Sequence, residues 1–129
     1  MKSGEAIVWL LLLLGLVKKR VMTFAEVRAL AKSVGFPDPD LATAIAMAES
    51  GLNPFAKPKT SEQSFGLWQI NIPAHPQYGE LALFDPLYNA KAAFEVSRHG
   101  TDFTPWTMFK NGVYKKYLPT PPATTVPSS

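Results

Sequence analysis

Glu49 stands in a chemically suggestive place. It falls in the last turn of a helix predicted between Asp38 and Gly51, among Ala, Leu, Ile and Met. A helix C-terminus carries partial negative charge and disfavours a carboxylate beside it. Apolar neighbours disfavour the charge further through desolvation. Both effects raise the pKa of a carboxyl group, which is what a general acid working near neutral pH requires. The position by itself also fits a solvated glutamate at a frayed helix end. Glu62 is the only acid between Glu49 and the Phe65–Asn71 stretch, and it precedes Ser64 by two residues, so on a strand the two share a face. It is a candidate second carboxylate, set against a solvated loop residue. His75 lies in a Pro-flanked loop and His99 at a predicted helix C-terminus, where a cation is favoured. Structural roles are expected for both. There is no cysteine, no phosphate loop and no Ser-His-Asp set, and neither metal nor cofactor is expected.

The elements that must position Glu49 are marked by their ends. Thr23-Phe24-Ala25-Glu26 forms a capping box, and Phe24, Val27, Leu30, Ala31 and Val34 follow on one helical face until Gly35 and Pro37. Asp38-Pro39 starts the next helix, Leu41, Ala44, Ile45 and Ala48 recur at helical spacing, and Gly51 stops it. Residues 52–64 read as loop, and Phe65–Ile72 has strand-forming character. Asp85-Pro86 repeats the cap-then-proline start, with Leu87, Ala90, Ala93 and Phe94 as one apolar helix face and Gly100 as the stop. Asn111–Leu118 reads as a last short helix.

The chain has 129 residues, room for one domain with a core. Its net charge of +3 resides in residues 1–22, where Lys2, Lys18, Lys19 and Arg20 oppose Glu5. Residues 23–118 hold nine bases and nine acids, a balance that argues against nucleic-acid binding. Ala6–Val17 is an uncharged run of twelve residues followed by Lys18-Lys19-Arg20. As a helix it spans roughly 18 Å, short for a bilayer core of about 30 Å, although the flanking cations extend it by snorkelling. Its length also suits a signal peptide, but no small-residue cleavage site follows. The segment reads as an uncleaved membrane anchor over residues 1–22, with a buried core helix as the alternative. Residues 23–118 form the body, and residues 119–129 a Pro/Thr/Ser tail of disordered composition.

Four elements in order resemble a known signature. Ala48-Glu49-Ser50-Gly51-Leu52-Asn53-Pro54 precedes Ser64-Phe65-Gly66-Leu67-Trp68-Gln69-Ile70-Asn71. Asp85-Pro86 with Asn89-Ala90 comes next, then Pro105-Trp106-Thr107 with Asn111-Gly112 and Tyr114. The set resembles the lysozyme-like superfamily, above all soluble-type lytic transglycosylases and the lysozyme-like modules of phage virion proteins. The resemblance implies an α+β fold, mostly helical, with a cleft between a small β-hairpin lobe and a helical lobe; the N-terminal hydrophobic helix read above precedes it. It also implies cleavage of the β-1,4 bond between N-acetylmuramic acid and N-acetylglucosamine in peptidoglycan. Glu49 then matches the catalytic acid/base. Ser50 matches the residue beside it, which supports the glutamate or the hairpin by hydrogen bonding. The implied substrate-binding set is Ser50, Ser64, Gly66, Trp68, Gln69, Asn71, Trp106 and Tyr114, with Trp68 and Trp106 open between sugar stacking and core packing.

Two departures divide the chemistry. Animal lysozymes have an aspartate where Ser64 stands. Glycosidases that hydrolyse normally use a carboxylate pair, whereas lytic transglycosylases need one acid, and the substrate's 6-hydroxyl or acetamido group completes the reaction. That favours a transglycosylase, with a hydrolytic muramidase using Glu62 as the alternative. Transglycosylases, however, carry a tyrosine where Phe109 precedes Lys110-Asn111-Gly112, and only Tyr114 or Tyr117 is near to replace its hydroxyl. A non-catalytic glycan-binding or structural virion or envelope protein on the same fold is a further alternative. The expected location is membrane-anchored, in a virion or at the bacterial envelope, with other virion proteins as further partners. The basic cluster favours a cytoplasmic body while the substrate lies outside, a conflict that a virion protein acting from outside its host escapes.

Overall fold

The computed structural model describes residues 21–58 and 62–120. The expected anchor over 6–17 and the tail beyond residue 120 lie outside the described residues. No helix among the described residues is long and apolar enough to cross a membrane.

Helix α1 spans Phe24–Val34 and opens on the capping box. The Glu26 amide donates to Thr23 Oγ1 at 3.1 Å, and the Thr23 amide donates to Glu26 Oε1 at 2.9 Å. Val27 and Ala31 are buried, with Phe24, Leu30 and Val34 packed around them. Helix α2, Pro39–Ser50, is capped by Asp38, whose Oδ1 accepts from the Leu41 amide at 3.0 Å. The expected single face is an underestimate here. Ala42, Thr43, Ala44, Ile45 and Ala46 are all buried, so α2 is covered all round. Alanines make this possible, because partners approach a small side chain closely from every side. Thr43 meets its polar obligation by donating to the Pro39 carbonyl at 2.7 Å. Just beyond α2, the Met22 amide donates to the Leu52 carbonyl at 2.9 Å, fixing where the chain joins the domain.

A two-stranded antiparallel hairpin follows, β1 at Ser64–Phe65 and β2 at Ile70–Asn71, with Ser64 opposite Asn71. A 3₁₀ turn at Ala82–Phe84 leads into α3, Pro86–Val96. Asp85 caps α3 through the Tyr88 amide at 2.8 Å. Leu87, on the apolar face of this helix, is 42% exposed. One expectation fails, because α3 ends at Val96 rather than near Gly100. Buried Ser97 causes the early stop: it donates to the Phe94 carbonyl and accepts the Gly100 amide at 2.8 Å. Arg98, His99 and Gly100 then turn in succession at φ of 51°, 61° and 80°. A non-glycine residue in that region costs of order 1 kcal/mol. Helix α4, Thr107–Lys110, was not expected; four residues are too few to show a period. The expected last helix is a 3₁₀ segment at Val113–Tyr117.

Helix α1 packs on α2 and α3, while α4 and the last 3₁₀ segment pack on α2 from elsewhere. Aromatic rings fill the centre. Phe36 stacks on Trp68 and on Phe103, each with centroids 6.0 Å apart, and meets Phe94 edge-on at 5.4 Å.

Asn89 fastens the hairpin to α3. It is fully buried, and its Oδ1 accepts from the Trp68 amide at 2.9 Å. Its Nδ2 donates to the carbonyls of Phe65 and Leu83, each at 2.9 Å. Gly66 lets this amide come close. A Cβ there would lie 2.3 Å from Asn89 Nδ2 and 2.3 Å from the Leu83 oxygen, and φ is +81°. Replacing Asn89 by Leu would strand three buried backbone groups. Asn89→Leu is expected to lower unfolding stability by roughly 3–5 kcal/mol, read from the urea midpoint. A loss under 1 kcal/mol would show that the hairpin does not depend on this side chain.

Candidate active site

A cleft of about 510 Å³ opens beside the hairpin. Glu49, in the last turn of α2, lines it and is half-buried. The hairpin contributes Ser64, Gln69, Ile70 and Asn71. The segment Pro105–Met108 lines it as well, and so do Glu62, Ala74, His75 and Val96.

The Glu49 carboxyl takes a backbone bond, and two further ties fix the elements around it. Its Oε2 accepts the Met108 amide, on the first turn of α4, at 3.3 Å. The adjacent Ser50 hydroxyl donates to the Leu67 carbonyl at 2.7 Å and to the Ala46 carbonyl at 3.0 Å, tying the end of α2 to the hairpin loop. Trp106 Nε1 donates to the Trp68 carbonyl at 2.6 Å, tying the segment before α4 to the same loop. Helix end, hairpin and closing segment therefore share one set of backbone anchors.

The hairpin residues carry polar atoms in a set arrangement. Gln69 sits at φ +50°, and its Nε2 donates to the carbonyls of Ala56 at 3.2 Å and Gly66 at 3.0 Å. Its Oε1 takes no hydrogen bond among the described residues. Asn71 Nδ2 donates to Ser64 Oγ at 3.2 Å, and Asn71 Oδ1 accepts the Ala74 amide at 2.9 Å. Glu62 is exposed at the cleft.

Four residues of the expected substrate-binding set do not line the cleft. Trp68 is 0% exposed; its indole N–H donates to the Ala42 carbonyl at 2.9 Å and its ring stacks on Phe36, so it is core and offers no face to a sugar. Gly66 is packed beneath Asn89. Ser50 spends its hydroxyl on backbone carbonyls. Tyr114 stacks on Phe109 at 5.1 Å and joins the core. Trp106 does line the cleft but is only 4% exposed, so it presents little surface there. His75, read from sequence as structural, lines the cleft; a lone histidine in a Pro-flanked loop carries no local signal of that. The Met108 amide was also missed, because a backbone donor leaves no mark on residue type. His99 stacks on Phe94 with centroids 4.7 Å apart, away from the cleft.

Fold and cleft together define a mostly helical α+β domain with a small hairpin lobe and a glutamate at the end of its central helix. Residues 28–108, more than half of the chain, match the family model described as a lysozyme-like domain. The chain belongs to the lysozyme-like domain family, a family of peptidoglycan-acting glycosidases and transglycosylases. Comparisons with curated proteins and with solved structures gave no match.

The Ser50–Leu67 tie carries its own test. Ser50→Ala is expected to cost about 1–2 kcal/mol in urea denaturation by leaving the Leu67 carbonyl short of a donor. Unchanged stability would mean that water replaces the hydroxyl and that the tie is dispensable.

Proposed function

We propose that the chain is a lytic transglycosylase that cuts the β-1,4 bond between N-acetylmuramic acid and N-acetylglucosamine, with Glu49 as the sole catalytic carboxyl group. The observation that carries this reading is the placement of the Glu49 carboxyl in one cleft with the polar hairpin residues Ser64, Gln69 and Asn71. Glu49 gives its proton to the glycosidic oxygen as the bond to the anomeric carbon breaks and positive charge develops there. The substrate's acetamido oxygen shares that charge. Glu49, now a carboxylate, takes the proton of the 6-hydroxyl as its oxygen bonds to the anomeric carbon, and a 1,6-anhydro end results. The free Gln69 Oε1 suits an acetamido N–H, and Asn71 and Ser64 suit sugar hydroxyls. The small exposed part of Trp106 offers an apolar contact.

Ser64 supports the single-acid route. It is buried and paired to Asn71, so the hairpin offers no carboxylate there. Glu62 supports a second reading, because it lines the same cleft: a hydrolytic muramidase in which it assists water. Anchoring through residues 6–17, with action in a virion or at the bacterial envelope, belongs to the proposal as the setting that brings the domain to its substrate.

Glu49→Gln is expected to reduce turbidity clearing of purified cell walls by about 10²–10⁴-fold while leaving the thermal midpoint unchanged. Equal clearing by wild type and variant, or none by wild type, would leave a non-catalytic glycan-binding or structural role. Mass spectrometry of the digest separates the two chemistries. Anhydro ends that persist in Glu62→Gln support the transglycosylase; reducing ends that vanish in it support the muramidase. Deleting residues 1–20, which spares the Met22 bond to Leu52, is expected to release the protein from membranes with its clearing activity intact.

A further inference from the structure

Beyond His75, Val96 and Pro105 the cleft continues into a second groove of about 410 Å³, lined also by Tyr78, Glu95, Arg98 and Asp102. Those three shared residues form the join. The two parts differ in character. The first holds carboxyl groups and neutral polar side chains, whereas the second brings a guanidinium together with two carboxylates.

Each charge in the second groove is prepared. Arg98 sits at φ +51°, a conformation that glycine adopts far more easily, yet the chain keeps a long cation there. Its guanidinium makes no hydrogen bond or ion pair among the described residues, although Asp102 lies near enough to feel its charge. Asp102 receives the hydroxyl of Thr104 at 2.6 Å and its amide at 2.9 Å, and these donors hold its carboxyl below the usual range. Glu95 accepts the Tyr78 hydroxyl at 3.1 Å. Burial, with Glu95 alongside, pushes that hydroxyl above the ordinary tyrosine range, so it stays a donor.

We infer that this groove binds the peptide stem borne by N-acetylmuramic acid, taking a stem carboxylate on Arg98 and a side-chain ammonium between Glu95 and Asp102. The inference rests on the peptidoglycan reading of the adjoining cleft. A neutral sugar has no use for three charges, and a simple polyanion would meet two carboxylates for one guanidinium. A short peptide with carboxylates and one amine answers both signs. It also hangs from the same sugar that the first part of the cleft receives, so one ligand spans the join at His75. A guanidinium offers a planar fork that matches a carboxylate, which explains an arginine here rather than a lysine.

The test uses the full chain and two probes, N-acetylmuramic acid bearing an Ala-Glu-Lys stem and the same sugar with its lactyl carboxyl capped as a methylamide, which carries no charge. Calorimetry is expected to show the peptide-bearing probe binding the wild type more tightly than the capped sugar, and Arg98→Gln weakening that binding about tenfold without moving the capped sugar. Arg98→Gln keeps a side chain at the strained position, and an unchanged thermal midpoint excludes a folding defect. In cleavage assays the variant is expected to raise KM on intact cell wall and to match wild type on glycan strands stripped of peptide. Equal affinity of wild type and Arg98→Gln for the peptide-bearing probe overturns the inference, as does an equal loss on intact and stripped substrates. Wild type that binds the peptide-bearing probe but cleaves nothing would refute the catalytic reading alone.

Discussion

The fold turns on one side-chain amide in a dry place. Asn89 lies on the buried face of α3 and spends three of its four hydrogen-bonding positions on backbone groups of Phe65, Trp68 and Leu83. A polar group with no water and no partner is costly to bury, so the helix and the hairpin loop hold each other in a single register. The same accounting runs through the molecule: among the described residues no buried side-chain nitrogen or oxygen lacks a partner.

From that node the active cleft is assembled with little further specification. The loop gripped by Asn89 is also gripped by Ser50 through Leu67 and by Trp106 through Trp68. The partners lie 17 to 38 residues apart along the chain. The glutamate at the end of α2 is therefore positioned relative to the hairpin through backbone contacts, and Ser64, Gln69 and Asn71 stay at the cleft beside it. Gln69 completes the turn at a strained φ, a conformation its own amide helps to hold by donating to Gly66.

What could be read in advance follows from how local each cause is. Thr23 with Glu26, Asp38 with Pro39 and Asp85 with Pro86 act within one turn, so the starts of three helices were legible. Glu49 and the hairpin were marked by the order of motifs that resembles the lysozyme-like signature, whereas the position of Glu49 alone also fitted a solvated helix end. Trp68 was undecidable, because its burial depends on Phe36 and on the Ala42 carbonyl, both 26 or more residues away. The encirclement of α2 was hidden too, since alanine reads alike on an exposed face and a crowded one. Leu87 joined the apolar face by its hydropathy, whereas the adjacent interior space goes to a polar residue, Asn89, that earns it through bonding. The turn at Arg98 to Gly100 lay beyond reach because nothing in Arg or His announces a left-handed backbone.

The bond between Met22 and Leu52 has a mechanical meaning. It attaches the leading stretch of the chain three residues past the glutamate, at the far end of the central helix. Tension applied through the N-terminus thus arrives at the Glu49 end of that helix as well as at the start of α1. A pull from that side therefore meets the domain close to the cleft that Glu49 lines.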